Sequence, residues 1–315
     1  MENKITNQTK ISLVIPCFNE EQSLPLLFGE LKKVESMSQQ TFEYLFINDG
    51  STDATLQVLR DFQEENPDTV HYLSFSRNFG KEAALYAGLK AVTGDYVALM
   101  DADLQDPPAL LLEMIEKIQE PDVDCLAARR MNRKGEPFLR SVSSRLFYWL
   151  MGKMSSVPVL SGVRDYRLMS RQMVNSVLEL SEYNRFTKGL LTWVGYNTEY
   201  IAYENQERVA GKTSWRFWDL VKYSMDGMIN FSEIPLNIAM YSGLTAVFLS
   251  VVAIFFLIFR QLLFHNSVSG WTSMSVIIIF CSGFILLMLG IIGKYISKIF
   301  METKKRPIYI VKEEK

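Results

Sequence analysis

The chain has 315 residues, a formal net charge of −2 and an isoelectric point near 5.9. That balance argues against a nucleic-acid partner, and two histidines, His71 and His265, argue against histidine-centred acid–base chemistry or a His-rich zinc site. The three cysteines, Cys17, Cys125 and Cys281, show no metal-ligand spacing; they read as small buried hydrophobes of a reducing compartment.

The first ten residues are polar and lack a signal-peptide core, so 1–10 is expected to be a flexible lead-in. Apolar runs then alternate with helical patterns. Strands are expected over Ile11–Phe18, Phe42–Asn48, Val70–Phe75, Tyr96–Met100 and Cys125–Ala128. Helices are expected over Glu21–Val34, Ala54–Phe62, Gly80–Ala91 and Ala109–Ile118. Such alternation predicts a parallel sheet covered on both faces, an α/β fold. Residues 129–153 change character: seven basic residues face the single acid Glu136. Apolar residues at helical spacing predict an amphipathic helix over about 138–151, either on an anionic membrane leaflet or as a basic helix packed on the core. A second such helix is expected over 215–231.

Two uncharged runs follow, Ile234–Phe259 and Trp271–Gly293. The first has 26 residues, roughly 39 Å as helix, against a bilayer core of about 30 Å. Both predict membrane spans, placed at 234–260 and 271–293. Lysines and arginines cluster on the outer flanks, and the connector Gln261–Gly270 has none. The positive-inside rule therefore places a domain over 11–233, both termini and the tail 294–315 on the cytoplasmic side of the plasma membrane. Gly283, Gly290 and Gly293 leave a homo-oligomer through these helices open.

Chemistry concentrates at strand ends. Asp101-Ala102-Asp103-Leu104-Gln105-Asp106-Pro107-Pro108 follows the fourth strand. Ligands of open α/β sheets bind at the carboxyl ends of strands, and two carboxylates one residue apart suit a hard cation shared with a substrate phosphate. Taken alone, a bare Asp-X-Asp is common and reads first as an acidic loop of turn formers. Pro16-Cys17-Phe18-Asn19-Glu20 ends the first strand, and Asn48-Asp49-Gly50-Ser51 the second.

Together with Ser76-Arg77-Asn78-Phe79-Gly80-Lys81-Glu82-Ala83, these loops resemble the family 2 glycosyltransferases, most closely the polyprenyl-phosphate subgroup that includes bactoprenol glucosyltransferases and dolichyl-phosphate mannose synthases. The resemblance implies a GT-A (Rossmann-like) catalytic domain followed by the two transmembrane helices. It implies that Pro16, Phe18, Asn19 and Glu20 line a nucleotide pocket and that Asp49 accepts a hydrogen bond from the base, with Gly50 and Ser51 beside it. It implies further that Lys81 holds the nucleotide and that Asp101, Asp103 and Gln105 place Mg²⁺ or Mn²⁺ on the donor diphosphate, with Asp101 also on the nucleotide and Asp103 catalytic. Arg129, Arg130, Arg140, Ser144 and Arg208 are the candidates for an acceptor lipid phosphate, for which arginine forks are suited. Asp165 matches an aspartate placed near the acceptor and conventionally read as a base. A phosphate monoester, with a second pKa of about 6, needs alignment more than deprotonation. Asp165 can instead orient Arg167 or another cation.

The sequence departs from the pattern at Ser161-Gly162-Val163-Arg164, where an acidic residue and glycine are usual, and at Ser214, which occupies a lysine position. The implied activity is inverting transfer of a hexose from a nucleotide sugar, UDP-glucose first and UDP-N-acetylglucosamine second, to undecaprenyl phosphate, giving a lipid-linked donor for cell-surface glycans. A processive polysaccharide synthase would carry Gln-x-x-Arg-Trp and more spans. A non-catalytic membrane partner would not need the Asp101/Asp103/Gln105 set.

Overall fold

Residues 9–130, 162–203, 232, 234–264 and 270–315 are described in a computed structural model. Its centre is β1 (Lys10–Cys17), whose run Ile11–Ile15 is buried on both faces. β1 pairs in parallel with β2 (Thr41–Asn48) on one side and β4 (Tyr96–Leu99) on the other; β3 (Val70–Phe75) continues the parallel set beyond β2. The connecting helices are α1 (Leu24–Met37), α2 (Thr55–Glu65) and α3 (Lys81–Ala91), with α4 (Leu110–Lys117) after β4. These match the elements expected from the sequence, with ends shifted by a few residues.

α3 lies close on the sheet because its buried face is small: Ala83, Ala84, Ala87 and Gly88. A methyl group on Gly88 would come within 2.1 Å of Val14 Cγ1. That approach fixes the start of α3, and hence Lys81, beside the strand ends.

The sheet differs from the expected parallel one in being mixed. Its order is β7-β5-β6-β4-β1-β2-β3-β8. β6 (Val163–Ser170) inserts antiparallel between β4 and β5 (Cys125–Arg130), and β7 (Thr198–Tyr203) pairs parallel with β5. Arg164, Asp165 and Arg167 interrupt β6's apolar pattern, which hides it as a strand. Helices α5 (Arg171–Glu179) and α6 (Thr187–Trp193) connect β6 to β7.

Two long helices follow, α7 (Ile234–Phe264) and α8 (Trp271–Thr303). Both carry stretches long and apolar enough to cross a membrane. The Tyr295 hydroxyl donates to the Ser232 carbonyl at 2.7 Å, and Ser242 meets Met288 Sδ at 4.0 Å, so the helices run antiparallel. Cys17 and Cys125 are buried as expected, whereas Cys281 is exposed on α8, where apolar surface faces outward.

α8 runs ten residues past the uncharged stretch, and the segment after it returns to the sheet. β8 (Val311–Glu314) pairs antiparallel with β3. Arg60 grips Glu313 through two bonds, Nε–Oε1 at 2.9 Å and Nη2–Oε2 at 2.6 Å, and the Tyr72 hydroxyl donates to Oε1 at 2.6 Å. Tyr309 stacks on Phe75 with ring centroids 5.1 Å apart.

Candidate active site

The parallel strands β1, β2, β3 and β4 end on one edge of the sheet. β6 runs the other way, so its beginning, with Asp165, lies at that same edge; Leu99 is opposite Arg167 and Val163 opposite Arg129. Antiparallel insertion of β6 therefore brings Asp165 to the end of β4. The Tyr166 hydroxyl donates to the Pro108 carbonyl at 3.2 Å, which ties β6 to the loop after β4.

The β1 and β2 loops are stitched together. Asn19, at φ 57°, accepts from the Thr52 backbone N–H at 2.8 Å, and its own N–H donates to Ser51 Oγ at 3.0 Å. The Glu20 N–H donates to Thr55 Oγ1 at 2.9 Å. Asn48 receives the Ser51 N–H on its side-chain oxygen at 3.1 Å. Pro16 is half-buried, and Phe18 is 37% exposed at the edge, open to a planar ligand.

Asp49 is buried, and both its oxygens already accept backbone N–H groups: Phe79 at 2.6 Å and Gly80 at 2.9 Å. Burial raises its pKa, against the pull of those two bonds and of Arg77. In this arrangement the carboxylate braces the β3–α3 loop, and each oxygen keeps a further lone pair. Gly50, at φ +65°, packs so closely on that loop that a Cβ would lie 2.4 Å from the Arg77 carbonyl carbon. Only glycine fits both the conformation and the space.

Lys81 lies at the centre. Its Nζ is 2.6 Å from Asp101 Oδ1 and 2.5 Å from Asp165 Oδ2. Lys188, from α6, approaches the other Asp165 oxygen at 3.5 Å. Burial acts to raise the Asp165 pKa, but Lys188, Lys81 and Arg167 outweigh it and hold the carboxyl well below the usual carboxylate range. Burial likewise acts to discharge Lys81, and Asp101 and Asp165 reverse this, keeping its ammonium charged. The cation oriented by Asp165 is thus not the Arg167 guanidinium, which bonds the carbonyls of Arg164 and Asp165 at 3.0 and 3.4 Å.

A second cluster holds the far end of the motif. Asp103, buried, accepts the Gln105 N–H at 3.1 Å, with Leu104 at φ 56° between them. Arg164 donates to Gln105 Oε1 at 2.8 Å and lies 3.3 Å from Asp106 Oδ1. Asp106 is buried and also receives the Tyr203 hydroxyl. Its pKa is raised by burial and drawn back by Arg164 and Tyr203.

Asp101 and Asp103 suit a hard cation that takes its remaining ligands from phosphate oxygens and water, because Mg²⁺ ordinarily uses one or two protein carboxylates beside substrate phosphates. They do not form an all-protein cage: among the described residues no group of three His, Cys, Asp or Glu could hold a metal. The Gln105 side-chain oxygen is turned to a guanidinium.

On the acceptor side, Arg129 is exposed and Arg130 half-buried at the end of β5, on the active edge. Arg140, Ser144 and Arg208 lie outside the described residues, as do Ser214 and the amphipathic helices expected over 138–151 and 215–231. Sequence reasoning missed Arg164 and Lys188 as parts of the cluster. Arg164 was visible only as a departure from a motif, and Lys188 stands in no motif.

This site is that of an α/β transferase, with paired carboxylates at the end of a central strand and lysines facing them. The glycosyl transferase family 2 model matches residues 12–178. The chain is 44% identical over 97% of its length to the glycosyltransferase CsbB of Bacillus subtilis (strain 168), covering 92% of that protein. It is 40% identical over 97% of its length to the bactoprenol glucosyl transferase of Shigella phage SfX, covering all of it. A crystal structure of glucosyl-3-phosphoglycerate synthase from Mycobacterium tuberculosis, in complex with Mn²⁺, UDP-glucose and phosphoglyceric acid, overlaps 69% of this chain and 76% of its own at 18% identity and a TM-score of 0.45. The chain belongs to glycosyl transferase family 2; it is a glycosyltransferase with a GT-A-like α/β sheet, followed by two apolar helices.

Proposed function

We propose that this protein transfers glucose from UDP-glucose to a polyprenyl phosphate, undecaprenyl phosphate, at the cytoplasmic membrane face, with inversion at the anomeric carbon. The observation that carries the reading is the Lys81–Asp101–Asp165 cluster on the sheet of a chain whose second membrane-length helix leads into β8, a strand of that same sheet. Near full-length similarity to bactoprenol glucosyl transferases supports the choice of lipid and sugar.

A phosphate oxygen of the acceptor attacks the anomeric carbon and forms the new C–O bond. The bond to the UDP oxygen breaks, and UDP leaves with the electron pair. Asp101 and Asp103 would hold Mg²⁺ or Mn²⁺, whose charge offsets that building on the diphosphate. Lys81 adds a fixed ammonium between donor and acceptor sides. The Asn19–Ser51–Thr52 stitch and the Asp49-braced loop hold the strand-end loops in one shape, so the nucleotide meets a preformed wall. Asp165, kept ionised by its lysines, positions cations and takes up no proton. The product would be a lipid-linked glucose for surface glycans.

The test uses purified full-length protein in detergent with undecaprenyl phosphate and radiolabelled UDP-glucose or UDP-N-acetylglucosamine. Label should move to the organic phase from UDP-glucose, fall to background with EDTA and drop at least ~100-fold in Asp103→Asn. Undiminished transfer by Asp103→Asn in EDTA would sink the metal role. Label that enters only water-soluble products would sink the lipid acceptor.

A further inference from the structure

Lys188 helps to keep Asp165 ionised, and the fold fixes its position twice. Neighbouring residues at the start of α3 reach neighbouring residues around α6. Lys81 bonds Asp165, which faces Lys188, and Glu82 Oε2 accepts both the Thr187 N–H at 2.8 Å and the Thr187 hydroxyl at 2.5 Å. The first turn of α6 is thereby pinned beside Asp165. The Lys188 side chain keeps 25% exposure, so it is not sealed into the core.

Lys81 bridges Asp101 and Asp165 Oδ2, and Lys188 takes Asp165 Oδ1. Asp101 marks the donor side in the reading above; Lys81 pairs with it, whereas Lys188 pairs with Asp165. The charges point the same way. One carboxylate faces two ammonium groups, and Asp101 offsets the second only while it remains on Lys81. Once Asp101 turns to a cation, a positive charge is left at Asp165 for an anion to meet.

A separate observation ties this segment to the membrane end of the molecule. The backbone N–H groups of Tyr183 and Asn184, just before α6, donate to Glu302 at the end of α8 at 3.0 and 3.1 Å, and Lys298 donates to Asn184 Oδ1 at 3.2 Å. Lys188 follows Asn184 by four positions.

We propose that Lys188 binds the phosphate of the acceptor lipid, with Asp165 as the residue that positions its ammonium. This rests on the reading of a polyprenyl phosphate acceptor. The test measures donor and acceptor kinetics of detergent-solubilised full-length wild type, Lys188→Met and Lys188→Arg, with UDP-glucose and undecaprenyl phosphate. Lys188→Met should raise the acceptor KM at least tenfold while the donor KM stays within twofold, and Lys188→Arg should restore the acceptor KM to within about threefold. Binding of UDP, read by thermal shift, should be equal in all three and also shows that each is folded. An unaltered acceptor KM in Lys188→Met overturns the inference alone, as does an equal rise in both KM values or loss of UDP binding in both variants. A wild type that binds UDP yet transfers nothing to the lipid overturns the functional reading and the inference with it.

Discussion

At the scale of single residues, the site is governed by how its charges are shared. Asp165 is flanked by two lysines, and their attraction outweighs its burial. It therefore stays ionised from pH 5 to pH 8, and any rise of activity with pH in that window belongs to another group. In the proposed reaction that group is the acceptor phosphate, with a second pKa of about 6. Asp165→Asn should lose at least ~10-fold in kcat/KM through misplaced cations, while the midpoint of the remaining pH profile stays where it was. A midpoint that moves or disappears would restore Asp165 as a base.

Arg164 offers a stability test at the same scale. It is the partner of Asp106, which is buried, and of the Gln105 side chain. Arg164→Gln leaves a buried carboxylate with the Tyr203 hydroxyl and without its cation. Chemical denaturation should show a loss of about 2–3 kcal/mol, under the full cost of breaking a buried pair because that hydroxyl remains. Gly50→Ala should cost about 2 kcal/mol or more, since the new methyl meets backbone atoms at a positive φ.

At the scale of elements, legibility followed hydrophobic pattern. β1 to β5 and the helices between them were readable because buried parallel strands are near-continuous apolar runs bounded by turn residues. β6 was not, because Arg164, Asp165 and Arg167 break its pattern, and its antiparallel insertion depends on partners far away in sequence. β8 was not, because Val311-Lys312-Glu313-Glu314 has the composition of a solvated tail; a guanidinium on α2 and a tyrosine on β3 make it a strand. The polar residues at the ends of β1, β2 and β4 were legible as motifs. Their pairings within the chain were not: that Lys81 bridges two carboxylates and that Asp49 braces the β3–α3 loop depend on residues far apart in sequence.

The returning tail gives an element-scale prediction. Arg60 and Tyr72 hold the Glu313 pKa down at about 2, from an ordinary 4.5. A carboxylate whose pKa is lowered by folding contributes stability above its ordinary pKa, and that contribution is lost as pH falls through its folded value. Docking of β8 should thus be complete above about pH 4.5 and weaken between about pH 4.5 and 2. A spin label at Lys312→Cys in a Cys281→Ser background should be immobile at neutral pH and gain mobility over that range. In Glu313→Gln it should be mobile at neutral pH as well; equal immobility there would contradict the role of Glu313.

At the scale of the whole molecule, the chain closes on itself across two apolar helices. α7 leaves the domain, α8 returns, and its end is bonded at Tyr183 and Asn184 before β8 joins the sheet. The start of α7 lies beside the end of α8, where the Tyr295 hydroxyl donates to the Ser232 carbonyl. With the two helices in a bilayer, as proposed, this arrangement would hold the sheet near the lipid surface, which suits a substrate whose reactive phosphate sits there. The family assignment gives the reaction type, and this geometry supports the lipid as its acceptor.

The most direct test is transfer by the purified full-length protein from radiolabelled UDP-glucose to undecaprenyl phosphate. Label should appear in the organic phase, require both the lipid phosphate and a divalent cation, and be lost in Asp101→Asn. A folded, UDP-binding protein that leaves all label in water, or that glucosylates a soluble acceptor equally well without the lipid, would contradict it.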